Sequence, residues 1–238
     1  MKNPLPKKQD APQEIRWHIG ENAVAVAAEA CRRILLVAEE AIAARGRFRM
    51  VLAGGNTPQA TYELLTGAAA DWSRWDIYFS DERCLPRDDP GRNSVMARRA
   101  WLDRASFPPE NIHPIPGELG AMEAARRYGT QVEPALPFDL VLLGLGEDGH
   151  TASLFPGHTH PEGDLVHPVF DAPKPPSERV TLSAAALSRT RHLLVLVCGE
   201  TKRQAVTAWC RGADLPIRRI RPSCPLDVLA DRPAAGNR

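Results

Sequence analysis

Apolar residues recur along this chain in two rhythms. The stretch FDLVLLGL, from Phe138 to Leu145, is apolar at nearly every position without alternation, the pattern of a strand covered on both faces in a parallel sheet. Phe48 to Ala53, Trp75 to Ser80 and His192 to Cys198 read the same way, and further strands are predicted over Glu14 to Ile19 and near Leu226 to Leu229. Between them, Val24, Ala27, Cys31, Ile34, Leu35, Ala38 and Ile42 recur at helical spacing behind the capping residue Asn22 and before Arg45-Gly46. Helices are also predicted from Thr57, as N-cap, to about Leu65, over Val95 to Arg104, over Met122 to Glu133, and from about Glu200 to Arg211. Strands alternating with helices predict an α/β fold, a three-layer sandwich around a mostly parallel sheet. The expected organisation is one domain over residues 14–238 behind a flexible N-terminal tail over 1–13.

The strand ends carry the chemistry. In a parallel sheet the C-terminal ends lie on one edge, where ligands bind, so segments distant in sequence can line a single crevice. After Ala53 comes Gly54-Gly55-Asn56-Thr57-Pro58, a glycine turn feeding a helix, which offers free N–H groups and a helix dipole to an anion; the alternative is a plain tight turn, since no P-loop lysine follows. After Ser80 come Asp81, Glu82 and Arg83, either site residues or a solvated loop with a local ion pair. After Leu145 come Gly146, Glu147, Asp148, Gly149 and His150. An imidazole there suits a general base, oriented by Asp148 or Glu147, and the alternative is a structural histidine. After Cys198, Lys202 falls in the first turn of a predicted helix, where a cation opposes the dipole unless an anion sits nearby.

Composition narrows the partners. With 30 Lys and Arg against 29 Asp and Glu, the net charge of +1 gives no field for nucleic acid or an anionic membrane, so any anion site is local. Only five of the cationic residues are lysines, which singles out Lys202 in a chain that otherwise uses arginine. Five widely spaced cysteines without a CxxC pair read as free thiols of a reducing compartment, and no stretch reaches the ~20 apolar residues of a membrane span, so a cytoplasmic protein is expected. His158-x-His160 beside His150 raises a metal site, but no HExxH or thiolate pair supports it, and neither metal nor cofactor is expected. The segment after Pro156, with Pro161, Pro168, Pro173, Pro175 and Pro176, is predicted to be a long loop able to wall the pocket, and regular structure restarts at Arg179-Val180-Thr181-Leu182.

Taken together, AGGNTP at 53–58, SDERCLP at 80–86, LGLGEDGHTASLFPG at 143–157, RVTL at 179–182 and CGETK at 198–202 resemble the motifs of the 6-phosphogluconolactonases. This family lies in the glucosamine/galactosamine-6-phosphate isomerase superfamily. The resemblance runs from about Trp17 to Ala230. It implies a sugar-phosphate isomerase-like, Rossmann-like fold and hydrolysis of 6-phospho-D-glucono-1,5-lactone in the oxidative pentose phosphate pathway. It further implies that His150 activates water, that Asp81 and Arg83 contact the sugar or catalytic groups, and that Gly54 to Thr57, Arg179 and Lys202 hold the phosphate. Asn56 stands where many members have serine, and RNS at 92–94 where many have SN, which leaves Asn93 without an assigned role. The alternatives are a glucosamine-6-phosphate deaminase-like enzyme, against which the TASLFP segment speaks, and a non-catalytic sugar-phosphate sensor. The expected partner is the sugar-phosphate lactone alone, bound by a monomer or weak homo-oligomer.

Overall fold

The computed structural model describes residues 13–161 and 163–236; the predicted tail over 1–13 lies, apart from Gln13, outside them. In chain order the strands are β1 (Ile15–Gly20), β2 (Phe48–Leu52), β3 (Trp75–Phe79), β4 (Asp81–Arg83), β5 (Phe138–Gly144), β6 (Val166–Val169), β7 (Arg179–Leu182), β8 (Thr190–Val197) and β9 (Leu226–Asp231). Six of them form a wholly parallel sheet in the order β1-β9-β8-β5-β2-β3. The unalternating apolar run takes the centre as β5, with Leu140, Val141, Leu142 and Leu143 buried, paired to β2 through Met50 and Val51 and to β8 through Leu193 to Leu196.

The helices are α1 (Ala23–Arg45), α2 (Asn56–Leu65), α3 (Asn93–Ala100), α4 (Ala121–Val132), α5 (Ala184–Ser188), α6 (Arg203–Cys210) and α7 (Arg232–Ala235). Asn22 caps α1 by accepting from the Ala25 N–H at 3.0 Å, and Gly46 ends it with φ 79°, a conformation that suits glycine. The stripe Val26, Ala30, Ile34, Ala38 and Ala41 is buried and packs α1 across the sheet beside α2. From β2 the chain moves to β3 on one side; from β5 it moves to β8 on the other. The crevice between the C-terminal ends of β2 and β5 is therefore a switch point of the sheet.

A second, antiparallel sheet in the order β4-β7-β6 grows directly from the end of β3, where Ser80 C=O accepts from the Leu182 N–H at 2.8 Å. Asp81, Glu82 and Arg83 are thus strand residues rather than the solvated loop that their charge suggests. The Pro-rich segment also contains a strand that periodicity missed: β6 includes Pro168, and it is an edge strand, where a missing N–H is tolerated. Other bounds shift. Gly55, with φ 104°, is the N-cap of α2, and Thr57 lies inside the helix with its hydroxyl uninvolved in capping. The helix predicted over Val95 to Arg104 begins at Asn93 and ends at Ala100, before a 3-10 turn over Leu102–Arg104. Lys202 lies in a 3-10 turn, Glu200–Lys202, that precedes α6.

Candidate functional site

The crevice is a cleft of about 410 Å³ lined from the ends of β2, β3, β5 and β8. The glycine turn after β2 forms one wall. A Cβ on Gly54 would fall inside the Asn93 side-chain amide, so only glycine allows α3 to approach this closely. Gly55 then turns the chain so that α2 starts at the cleft with its first N–H groups unpaired within the helix.

Behind that wall the SDER segment holds α3 in place. The fully buried Glu82 carboxylate accepts from the N–H groups of Asn93 (2.7 Å) and Ser94 (2.9 Å), from Ser94 Oγ and from Arg92 Nε (3.3 Å), an acidic anchor at a helix N-terminus. Asn93 Nδ2 donates to Asp81 Oδ1 at 3.0 Å, while Asp81 Oδ2 accepts from Ser153 Oγ at 2.6 Å. Asp81 therefore ties two walls of the cleft together. Arg83 donates from Nη1 to Gly91 C=O, but its Nε is buried without a partner among the described residues. Such an orphaned donor beside a cleft asks for an acceptor.

The segment after β5 supplies the imidazole. His150 Nδ1 lies 2.5 Å from Asp148 Oδ1, and the His150 N–H also points to that oxygen at 3.2 Å. Burial disfavours the Asp148 carboxylate, yet the charge and hydrogen bonds of His150 outweigh it and hold the carboxyl below its ordinary range. With Nδ1 as the donor to Asp148, Nε2 is left as the acceptor. A Cβ on Gly146 would fall on His150 Nδ1 and on Asp148, so the pair exists because residue 146 has no side chain. The following turn is closed by two hydrogen bonds between Thr151 and Leu154 (3.2 and 2.9 Å), with Ala152 at φ 50°. A non-glycine residue in the left-handed region is strained, and strain of this kind gathers at working sites. Thr151 Oγ1 donates to Gly144 C=O at 2.8 Å. Both hydroxyls nearest the imidazole in sequence, Thr151 and Ser153, are thus committed elsewhere.

Cations form the opposite wall. Arg83 and Arg179 are cross-strand partners between β4 and β7. Arg179 is buried, donates to the C=O groups of Pro176 (3.2 Å) and Lys174 (2.8 Å), and lies 5.6 Å from the Phe155 ring centre. Burial and the nearby Arg83 lower its affinity for the proton, which a bound anion would reverse. Lys202 Nζ is 3.9 Å from Glu147 Oε1, and Lys174 Nζ is 3.7 Å from Glu147 Oε2. Glu147 is therefore the anion beside Lys202, and Asp148 is the partner of His150. Burial pushes the Cys198 thiol up to about 11, so no thiolate is available in the cleft at neutral pH. His158 and His160 do not join His150: the Phe155 ring packs against His150 at 5.0 Å and against His158 at 5.5 Å. Among the described residues no three His, Cys, Asp or Glu side chains are grouped to hold a metal ion.

The model of one family, glucosamine-6-phosphate isomerases/6-phosphogluconolactonase, matches residues 21–228, which spans every wall of this cleft. The chain belongs to this family. Within it, the chain is 40% identical over 215 residues to the 6-phosphogluconolactonase of Synechocystis sp., covering 83% of this chain and 88% of that one. It is 38% identical over 204 residues to that of Mycobacterium tuberculosis, covering 79% and 82%. The crystal structure of 6-phosphogluconolactonase from Thermotoga maritima superposes with a TM-score of 0.86 at 28% identity, over 92% of this chain and 100% of that one. Of the residues singled out from sequence, Gly54, Gly55, Asn56, Thr57, Asp81, Arg83, His150, Arg179 and Lys202 all line the cleft, and Asp148 reaches it through His150. Sequence reasoning gave no role to Asn93, Ser153 or Phe155, which hold these groups in place. Ser153 and Phe155 stood within the TASLFP segment of the family motif, and Asn93 within the departure at 92–94, but only packing reveals what they touch.

Proposed function

We propose that this chain hydrolyses 6-phospho-D-glucono-1,5-lactone to 6-phospho-D-gluconate, the lactonase step of the oxidative pentose phosphate pathway, as a single domain over residues 14–238. The observation that carries this reading is the His150–Asp148 pair at a cleft whose other walls are a glycine turn, two arginines and a lysine. The phosphate sits against the Gly54 to Thr57 turn, Arg179 and Lys202, which places the lactone ring toward His150. His150 Nε2 takes a proton from water as its oxygen adds to the lactone carbonyl, while Asp148 holds the Nδ1–H and steadies the imidazolium. The tetrahedral adduct then collapses, the ring C–O bond breaks, and the imidazolium returns its proton to the departing ring oxygen. Arg83, with Asp81 as its neighbour on β4, offers its unpartnered donor to the sugar or to the developing oxyanion. Water is the nucleophile because the nearby hydroxyls and the Cys198 thiol are unavailable. A δ-lactone is an activated ester, so one base and remote binding of the phosphate suffice without metal or cofactor.

All of these groups come from one chain, which supports a monomer or weak homo-oligomer acting on a small molecule without nucleic acid or membrane. The five cysteines, with no disulfide among them, support a cytoplasmic setting. No described helix is long and apolar enough to cross a membrane. The test is hydrolysis of freshly generated 6-phosphogluconolactone above its spontaneous background, by wild type and by His150→Ala. Turnover that falls ~10²–10⁴-fold in the variant supports the reading. Absence of turnover by wild type, with ammonia released from glucosamine 6-phosphate, would replace it by the deaminase; binding of sugar phosphates without any turnover would replace it by the sensor.

A further inference from the structure

Of the histidines outside the mechanism, His158, His160 and His167 gather about Phe155: His158 packs on its ring at 5.5 Å, His160 meets its backbone, and His167 meets His160. Phe155 is almost fully buried, and its ring meets the His150 imidazole at 5.0 Å and the Arg179 guanidinium at 5.6 Å. The proposed base and the proposed phosphate clamp thus rest on opposite duties of one side chain. Both contacts are face-dependent, since an aromatic ring attracts a cation over its face and packs a second ring at a set tilt.

The backbone of Phe155 is itself pinned. Its N–H lies 3.2 Å from His160 Nε2, and His160 Nδ1 lies 3.1 Å from His167 Nε2 on β6. In one tautomer Phe155 N–H donates to His160 Nε2 and His160 Nδ1–H donates to His167; in the other His160 Nε2–H donates to Phe155 C=O at 3.4 Å and Nδ1 accepts from His167, and both tie the Phe155 backbone to the pair. His167 is 1% exposed and its Nδ1 has no partner among the described residues, an arrangement that costs stability. Burial pushes His167 down to about 4, so both rings act as neutral links at neutral pH. Buried groups that are neither fully satisfied nor part of the chemistry call for another use. The chain of contacts runs from the edge strand β6 through His167, His160 and Phe155 to His150 and Arg179.

We propose that Phe155, held by the His160–His167 pair, is a positioning residue that sets the His150 imidazole and the Arg179 guanidinium in register, so that base and phosphate clamp act on the same bound molecule. The inference rests on the lactonase reading and deepens it. It also gives the Pro-rich segment a use: its strand β6 supplies His167, and its Lys174 and Pro176 carbonyls orient Arg179 from the other side.

The test compares Phe155→Leu, which keeps an apolar side chain of similar bulk without the ring, with His160→Ala and His160→Gln, all confirmed folded by thermal melting. A displacement of about 1 Å can cost ~10²-fold, so kcat/KM for 6-phosphogluconolactone in Phe155→Leu should fall by ~10²-fold. The loss should be divided between a lower kcat, reporting on His150, and a higher KM, reporting on Arg179. His160→Ala should move both in the same direction by a smaller factor, and His160→Gln, which keeps a donor and an acceptor, should restore most of both. A Phe155→Leu enzyme in which only kcat or only KM changes overturns the proposal, as does a His160→Ala enzyme with wild-type values of both. Should wild type not hydrolyse the lactone, the lactonase reading fails by itself. The positioning role is then judged on the affinity for inorganic phosphate and on the NMR shifts of the His150 imidazole, both of which must move in Phe155→Leu for it to stand.

Discussion

The two ends of the parallel sheet handle charge in opposite ways. At the N-terminal ends of the strands, the buried carboxylates of Asp139 and Asp76 each have a close cation. Asp139 on β5 is met by Arg45 at 2.7 Å, by Arg191 at 3.5 Å and by the Arg49 N–H at 2.8 Å; Asp76 on β3 is gripped by both nitrogens of an Arg47 fork at 2.6 and 2.7 Å. At the C-terminal ends, Arg83, Arg179 and Lys202 of the cleft have no close carboxylate partner among the described residues, or only a distant one. Arg179 is hydrogen-bonded only to backbone carbonyls and rests on the Phe155 ring, Arg83 keeps a buried nitrogen without a partner among the described residues, and Lys202 stands 3.9 Å from Glu147. The carboxylates on that side, Asp81 and Glu82, are engaged mainly by amides, hydroxyls and N–H groups. A net charge of +1 for the whole chain conceals this segregation. One end of the sheet has closed its electrostatics and contributes stability; the other keeps donors without a close carboxylate, the feature on which the proposed anion site rests.

On that contrast, substitutions at the open end should remove activity with little loss of stability. The largest effect is expected from His150→Ala, in the range of ~10²–10⁴-fold on turnover. Gly146→Ala should follow, with turnover reduced by about 10²-fold, because the new Cβ occupies the space of the His150–Asp148 contact and displaces the base rather than deleting it. Steady-state kinetics beside thermal melts check both. A Gly146→Ala enzyme with wild-type turnover would show that the pair tolerates displacement, and the open end would then be less finely built than its geometry indicates.

Parallel changes at the closed end should do the reverse. Asp139→Asn removes the charge that three arginine groups converge on, and a loss of about 1–3 kcal/mol is expected in denaturant unfolding, with kcat/KM unchanged. Asp76 adds a pH dependence. Burial raises its carboxyl affinity for protons, but the Arg47 hydrogen bonds and charge outweigh this and hold it at about 2, below its ordinary 3.8. A carboxyl depressed in the folded state contributes stability that is fully present above its ordinary value and is lost as pH falls through the folded one. The stability difference between wild type and Asp76→Asn should therefore be largest above pH ~4 and shrink toward pH ~2. A gap that stays constant across that window would mean that Arg47 and His113 do not hold the Asp76 carboxyl below its ordinary range.

The same contrast explains what could be read from the chain. The buried strands were legible because burial on both faces leaves a local signature that Phe138 to Leu145 carry plainly; α1 was legible as a helix, but the predicted stripe began at Val24, which is exposed, whereas the buried face runs through Val26, Ala30, Ile34, Ala38 and Ala41. The cleft residues were legible where a backbone need or a reactive group marks them: Gly54, Gly55, His150, Lys202. What escaped was decided by partners far away in sequence. Asp81 to Arg83 look like a loop until β7, about a hundred residues on, pairs with them. Pro168 argues against a strand until the strand proves to be an edge. Thr57 is a good capping residue by type, but Gly55 can take the positive φ that begins the helix earlier. Between Glu147 and Asp148, adjacent carboxylates of one composition, the sequence offers no means to choose; Lys202 and Lys174 take the first, and His150 takes the second.

That division gives the smallest and most discriminating change. Glu147 sits at 3.7 and 3.9 Å from two lysines, half exposed, a geometry worth at most about 1 kcal/mol in water. It offsets the charge of Lys202, so a phosphate dianion at the proposed Lys202 contact must compete with it. Glu147→Gln should therefore lower KM for the lactone by up to ~5-fold, with kcat near the wild-type value, and the gain should fade as salt screens the exposed pair. The opposite sign is equally informative: a higher KM would mean that Glu147 accepts from the sugar hydroxyls and belongs to recognition. Its negative charge would then be part of the open end rather than a temporary substitute for the ligand.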